Sequence, residues 1–388
     1  MGTRAFLSAN EAAAYGVKLS RPHVIAAYPI TPQTTLVEKL ADFLADGEAG
    51  FRYMMVESEH SALAAAHGAA MMGARTFTAT SSQGLLYMCE MLSYVSGSRH
   101  PVLMVDANRS TATPWNIYGD QRDSIAMRDA GWIMFFAENA QEALDMVIQG
   151  YRLAEDKDVM LPVMLNLDGF TLTHTNELVI IPDQNEVDSF LPPYKTTNCL
   201  SMESPKGLCC TVGPEYHEEV RYMQQKAYGN AKDLIPEIDR EFGEKFGWRY
   251  GGLIEEYRTD DAEYVLTAMG SVIGTARVVV DRLREAGMKA GLIKVRCYRP
   301  FPKELFAAMR NRFRAMGVID RNISFGYEGA LFTEIKAAMY GSETKMTGFI
   351  TGLGGRDISK SDIHNMYLAL SESSGDSEIR FPGLRWTV

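Results

Sequence analysis

The sequence predicts an α/β chain in which a larger parallel-sheet unit precedes a smaller one, and three observations carry that prediction. Short β-rich apolar runs alternate with segments whose apolar residues recur every three or four positions, from His23 to about Asn166 and again from Glu263 to Thr351. Between these stretches, Pro182 to about Asp260 breaks the rhythm with Pro192-Pro193 and a Ser/Pro/Gly-containing run at Ser201–Pro214. Of 388 residues, 46% are hydrophobic and 23% charged, which supplies apolar material for two cores.

In chain order, the first stretch predicts strands at His23–Tyr28, Phe51–Val56, Arg75–Thr80, Pro101–Asp106, Gly131–Ala137 and Met160–Asn166. Helices are expected to begin near Pro32, Glu59, Gln83, Ser124 and Ala140. Thr31 reads as an N-cap with Pro32 in the first helical position, followed by Leu36, Leu40, Phe43 and Leu44 on one face. Met54-Met55, Met71-Met72 and Phe135-Phe136 read as core, and His60 and His67 as packing or hydrogen-bonding residues. The interrupted region is a connecting arm with an amphipathic segment near Glu215–Phe246. The second unit predicts strands at Glu263–Met269, Ala290–Val295, Gly317–Asp320 and Thr347–Thr351, and helices near Val272–Glu285, Lys303–Arg312 and Leu331–Tyr340. In such a sheet ligands gather outside the carboxyl ends of the strands.

A net charge of −10 without Lys/Arg runs argues against nucleic acid and anionic membrane as partners. No apolar run approaches the roughly 18 residues of a membrane span, and the amino-terminal segment is too short and mixed for a signal peptide, so a cytoplasmic protein without membrane insertion is expected. The five cysteines lack Cys-x-x-Cys spacing, so neither a disulfide framework, a metal site nor an iron–sulfur cluster is expected on this chain. Dinucleotide and P-loop glycine fingerprints are absent, which lowers a dehydrogenase or nucleotide-triphosphatase reading.

The residues that carry chemistry sit at the expected ligand edge. Glu59 opens a helix of small residues, Ser61 to Ala70, that packs closely against something. A carboxyl group in an apolar setting keeps its proton more readily and can exchange it with a ring nitrogen at neutral pH. The plainer alternative is a first-turn acid complementing the helix dipole, typically worth roughly 0.3–1 kcal/mol. Arg109 follows the apolar run Pro101–Asn108, so its fork faces either a ligand carboxylate or Asp106, Asp120 or Asp123. Thr31 stands at a helix entrance that welcomes an anion. Ser81-Ser82-Gln83-Gly84 is a strand-to-helix turn rich in hydrogen-bonding groups, suited to a heterocycle or simply a turn.

Five ordered segments carry a family likeness: Tyr28-Pro29-Ile30-Thr31-Pro32, Glu57-Ser58-Glu59-His60-Ser61-Ala62, Phe77 to Gly84, Ala107-Asn108-Arg109, and Leu167-Asp168-Gly169-Phe170 with Thr173-His174. Across nearly its whole length the chain resembles the alpha subunit of the thiamine diphosphate-dependent 2-oxoacid:ferredoxin oxidoreductases, of the pyruvate:ferredoxin oxidoreductase type and including phenylglyoxylate-type relatives. The resemblance implies a pyrimidine-binding domain over residues 1–240, with the connecting arm from about 182, and a transketolase carboxy-terminal-like domain over 241–388. It implies that Glu59 activates thiamine diphosphate through the pyrimidine ring, and that Thr31 and Arg109 hold the substrate carboxylate. Pro29, Ile30, Ser82 and Gln83 would join Glu59 around the cofactor. It further implies CoA-dependent oxidative decarboxylation of pyruvate or an aryl 2-oxoacid such as phenylglyoxylate. The segment after Arg109 is bulkier and more aromatic than in some pyruvate-type relatives, so Trp115 and Tyr118 either shape the acyl pocket or pack structurally.

One departure is an absence: the chain has no Gly-Asp-Gly followed by about 25–30 residues and Asn, the family's diphosphate–magnesium motif. The diphosphate and Mg2+ are therefore expected on a beta subunit, and 4Fe-4S clusters on a ferredoxin-like subunit. A gamma subunit, and a flavin- or NAD-linked electron-transfer subunit, complete the expected complex. The competing expectation is a non-catalytic assembly subunit of the same complex.

Overall fold

The computed structural model describes residues 2–372 and 378–385. A seven-stranded sheet runs in the order Cys297–Arg299, Ile133–Phe136, Val163–Asp168, Leu103–Asn108, Thr76–Thr80, Val24–Ala27, Arg52–Met55, and only its first strand is antiparallel. All six strands expected between His23 and Asn166 are in it, so the parallel α/β reading is borne out. A second sheet runs Glu378–Arg380, Lys345–Ile350, Ala315–Asp320, Tyr264–Ala268, Ala290–Val295, Ile254–Tyr257, antiparallel only at the last strand. Strands Thr76–Thr80, Leu103–Asn108, Val163–Asp168, Ala290–Val295 and Ala315–Asp320 are buried along their whole length, which is why stretches such as Leu103-Met104-Val105 and Val163-Met164-Leu165 read as apolar runs.

The helices between the strands cover the faces: Thr34–Ala45, Glu59–Met71, Gln83–Tyr87 continued by Cys89–Gly97, Arg122–Ala126 and Ala140–Ala154. Two amino-terminal elements were not anticipated. Thr3–Leu7 pairs antiparallel with Glu177–Ile181, and the helix Ala9–Leu19 is opened by a capping box between Ser8 and Glu11. Gly16 lets that helix press on Ala140–Ala154, because a Cβ there would stand 2.6 Å from the Leu144 carbonyl.

Two expectations are corrected. Thr31 is not an N-cap and Pro32 is not the first helical residue: the helix starts at Thr34. The Arg109 guanidinium donates to the Thr31 carbonyl (2.7 Å) and buried Asn10 to the Pro32 carbonyl (2.7 Å), so side chains occupy the two carbonyls that would begin a ladder there. Met54, Met55 and Met72 are exposed rather than core, 84% for Met55, because Arg52–Met55 is the sheet's edge strand and Met72 caps a helix end. Phe135 and Phe136 are buried as expected.

The amphipathic segment of the arm is one helix, Pro214–Phe246, ended by Gly247 at φ +94°. Its second half buries Ala227, Ala231, Ile235, Ile238 and Phe242, whereas Tyr216, Tyr222 and Met223 in its first half are exposed. The chain then crosses between units, since Cys297–Arg299 leaves the second sheet to extend the first. Buried charges line that crossing. Lys294 bonds Glu142 (2.7 Å) and Glu138 (3.1 Å), and Arg296 bonds Glu142 (3.2 Å), Gln149 (2.7 Å) and the Gly252 carbonyl (3.2 Å).

Candidate functional site

Three strand ends and one turn converge at the carboxyl edge of the first sheet. Strand Leu103–Asn108 delivers Arg109, which is 6% exposed. Its guanidinium donates to the Thr31 carbonyl (2.7 Å) and the Gln83 side-chain oxygen (3.2 Å), so it is aimed by neutral oxygens rather than a carboxylate. Its Nε is buried and has no partner. Burial pulls the guanidinium below its ordinary pKa, and Asp123, Asp106 and Glu59 counter that from nearby.

Glu59 occupies the first turn of its helix, behind the Ser58 cap, and is 9% exposed. Among the described residues its carboxylate has no hydrogen-bond partner. Gly84 is what gives it room: a Cβ there would come within 2.8 Å of the Glu59 carboxylate and 2.5 Å of the Thr80 hydroxyl. The glycine of the Ser81–Gly84 turn thus lets the backbone close directly onto an unbonded acid.

Ser82 and Gln83 tie that turn to Arg109. Ser82 takes φ +52°, strained for a residue with a Cβ, and its hydroxyl contacts both the Gln83 side-chain oxygen and the Ser110 carbonyl, each at 2.7 Å. Asp123 fixes the geometry from behind. One of its oxygens accepts the backbone N–H groups of Ser82 and Arg109, both at 2.9 Å, and the other accepts from Asn108 (2.9 Å) and from the Ser124 backbone (2.8 Å). Burial pushes the Asp123 carboxyl up to about 6, against the donors from Arg109, Asn108 and Ser124. Neighbouring Asp106 is raised well above its ordinary value by burial and by Asp123.

The structure therefore brings Thr31, Glu59, Ser82, Gln83 and Arg109 to one edge, with exposed Pro29 and half-buried Ile30 on the segment leading into Thr31. Thr31 itself is exposed and its carbonyl, not its hydroxyl, meets Arg109. Sequence reasoning named Asp123 only as a salt-bridge partner for Arg109 and missed its role as a bracket for two backbones. Its spacing of 41 residues from Ser82 and 14 from Arg109 carries no local signal. Gly84 lay inside a quoted motif without a reason attached. Among the described residues no group of His, Cys, Asp or Glu could hold a metal ion.

A carboxylic acid without a hydrogen-bond partner, packed on a glycine and near an arginine with an orphaned nitrogen, presents an acceptor and a donor of the kinds that a nitrogen heterocycle and a small anion use. Such a site lies at the carboxyl edge of the larger of two mainly parallel sheets. Residues 15–240 match the family model "Pyruvate flavodoxin/ferredoxin oxidoreductase, thiamine diP-bdg", and residues 262–363 match "Pyruvate:ferredoxin oxidoreductase core domain II". The chain is 50% identical over 361 residues to pyruvate synthase subunit PorA of Methanothermobacter thermautotrophicus, covering 93% of each chain. It is 47% identical over 360 residues to ketoisovalerate oxidoreductase subunit VorA of Pyrococcus abyssi, covering 92% of this chain and 91% of that one. It therefore belongs to the alpha subunits of the 2-oxoacid:ferredoxin oxidoreductases.

Solved structures agree at the level of fold. A 2-oxoglutarate:ferredoxin oxidoreductase of Magnetococcus marinus superposes with a TM-score of 0.74 at 20% identity, over 94% of this chain and 64% of that one. A split-gene transketolase superposes with a TM-score of 0.54 at 13% identity, over 94% and 99%. No helix among the described residues is long and apolar enough to cross a membrane.

Proposed function

We propose that this chain supplies the pyrimidine-activating acid and the substrate clamp of a cytoplasmic, multi-subunit, CoA-acylating 2-oxoacid oxidoreductase. The observation that carries this reading is the Glu59 side chain, 9% exposed and without a hydrogen-bond partner among the described residues, packed directly against Gly84. Glu59 holds and exchanges a proton at a pyrimidine ring nitrogen, while Ser82, Gln83, Pro29 and Ile30 border the ring. Thr31 and Arg109 hold the 2-oxoacid carboxylate, a positioning and charge-stabilising task for which Arg109 is already aimed by Gln83 and the Thr31 carbonyl. When bound, thiamine diphosphate supplies the electron sink for decarboxylation. Residues 1–240 form the pyrimidine-binding unit in this reading, with the arm from about 182, and 241–388 the transketolase-like unit.

The chain lacks a diphosphate motif and cluster-forming cysteine spacing, which supports placing Mg2+ and the diphosphate on a beta subunit and 4Fe-4S clusters on a ferredoxin-like subunit. Gamma and electron-transfer subunits complete the assembly. The names of the relatives favour pyruvate or a branched 2-oxoacid, with aryl 2-oxoacids a third class to assay. The test is reconstitution with and without this chain, following CoA-dependent reduction of an artificial acceptor across pyruvate, ketoisovalerate and phenylglyoxylate. Turnover is expected only when the chain is present; a complex that decarboxylates without it would leave the chain an assembly role.

A further inference from the structure

The loop that leaves Arg109 is held from the other unit. Its base closes on itself, with the Ser110 N–H on the Tyr118 carbonyl and the Ser110 hydroxyl on the Asn116 carbonyl, both 3.0 Å. Its tip, Ala112 to Trp115, is exposed. There the Trp115 ring stands 5.9 Å from the Arg109 guanidinium, a cation–π approach to the group that is aimed at the substrate carboxylate.

The turn Gly352–Gly355, which follows the second-sheet strand Lys345–Ile350, docks onto this loop. The Gly355 N–H donates to the Gly119 carbonyl (2.6 Å), the Asn116 amide donates to the Gly354 carbonyl (2.9 Å), and the Gly354 N–H donates to Asp120 (3.1 Å). Gly352, Gly354 and Gly355 all have positive φ, between +60° and +77°. A Cβ on Gly354 would stand 2.7 Å from the Asn116 amide, and one on Gly355 would run into the Cβ of Tyr118. Only a turn with glycine at 354 and 355 presents its backbone this closely, and the result is a template for the loop.

We infer that the Gly352–Gly355 turn positions the Ser110–Gly119 loop so that Trp115 forms the acyl-side wall of the 2-oxoacid pocket beside Arg109. This rests on the proposed function and deepens it: Trp115 sets which 2-oxoacid side chain fits, and Asn116 and Gly355 are positioning residues that act through the loop. A wall built by an indole excludes bulk beyond the carbonyl carbon, so its removal favours branched over short substrates.

The experiment compares wild type with Trp115→Ala, Asn116→Ala and Gly355→Ala in the reconstituted complex, measuring kcat and KM for pyruvate and ketoisovalerate and checking assembly by size exclusion. Trp115→Ala is expected to raise the ketoisovalerate-to-pyruvate ratio of kcat/KM by about tenfold or more. Gly355→Ala is expected to raise KM for both acids, up to about a hundredfold, with a far smaller change in kcat. Asn116→Ala, which deletes the bond to the Gly354 carbonyl and the one from the Tyr118 N–H and adds no bulk, moves KM in the same direction by less and covers the case in which Gly355→Ala does not assemble. The inference is overturned if Trp115→Ala leaves the ratio within about twofold of wild type, well below the span a pocket wall commands. It is equally overturned if Asn116→Ala assembles with unchanged KM. A wild-type complex that turns over no 2-oxoacid would overturn the proposed function and this inference together.

Discussion

Two buried polar regions of this chain are built on opposite rules. At the edge of the first sheet, the Glu59 carboxylate is unbonded, and Arg109 Nε, Asp106 Oδ1, Asn108 Oδ1, Thr80 Oγ1 and Ser81 Oγ are buried without partners. At the crossing between units the charges are paired: both Glu142 oxygens are taken, all three Arg296 nitrogens donate, and Asp239 accepts three backbone N–H groups from Tyr250 to Gly252. Leaving a buried polar group unmatched costs on the order of 1–3 kcal/mol, and the crossing leaves one such atom, Gln149 Nε2, against five at the sheet edge, so we propose that something else completes the set at the edge. In the function proposed above, saturation separates residues that hold the units together from residues that receive a ligand.

The sharpest way to break this contrast is at Glu59. Glu59→Gln keeps the shape and removes the exchangeable proton, so turnover in the assembled complex should fall by about 10²–10⁴-fold while assembly is retained. Activity near wild type would mean that the unbonded acid is incidental. The paired region should respond in the opposite manner. Lys294→Met removes one partner from a network in which Glu142 is fully buried, and should lower the unfolding free energy by about 3 kcal/mol in a denaturant titration while the KM for 2-oxoacid stays put. A shift in KM without loss of stability would show that the crossing belongs to the site after all.

The sheet was legible because its central strands are apolar on both faces and its helices keep a period of three to four, and the edge where Glu59 and Arg109 meet followed from strand direction. The start of the chain was equally written in the sequence, since Ser8-Ala9-Asn10-Glu11 is a capping-box signature, yet its significance depended on a helix of alanines that periodicity alone does not flag. Cys297–Arg299 was illegible for a different reason. Three residues carry no pattern, and their pairing with Ile133–Phe136 is a contact across more than 150 positions. Asp123 shows the same limit within the site: its four donors come from three separate segments, and only the folded chain places them around one carboxylate.

Asp145 offers the finest test, because it lies on the paired side yet has no cation. It accepts from the Tyr250 hydroxyl (2.5 Å) and the Trp248 indole (2.7 Å) on one oxygen, and from Gln141 at 3.2 Å. Burial nevertheless pushes its carboxyl up to about 7, with the Glu142 charge adding to the effect. The sign follows from proton binding. Between about pH 4 and 7 the folded chain keeps a proton that the unfolded chain has released, so the stability this group contributes is complete at low pH and is lost as pH rises through 7. The slope approaches about 1.4 kcal/mol per pH unit inside that window. Asp145→Asn retains an oxygen for Tyr250 and Trp248 and cannot ionise, so the difference between wild type and variant should grow by roughly that amount from pH 5 to 6. Denaturant titrations at both pH values read it directly, and parallel curves for the two proteins would mean that Asp145 is ionised throughout and that its hydroxyl and indole donors outweigh burial.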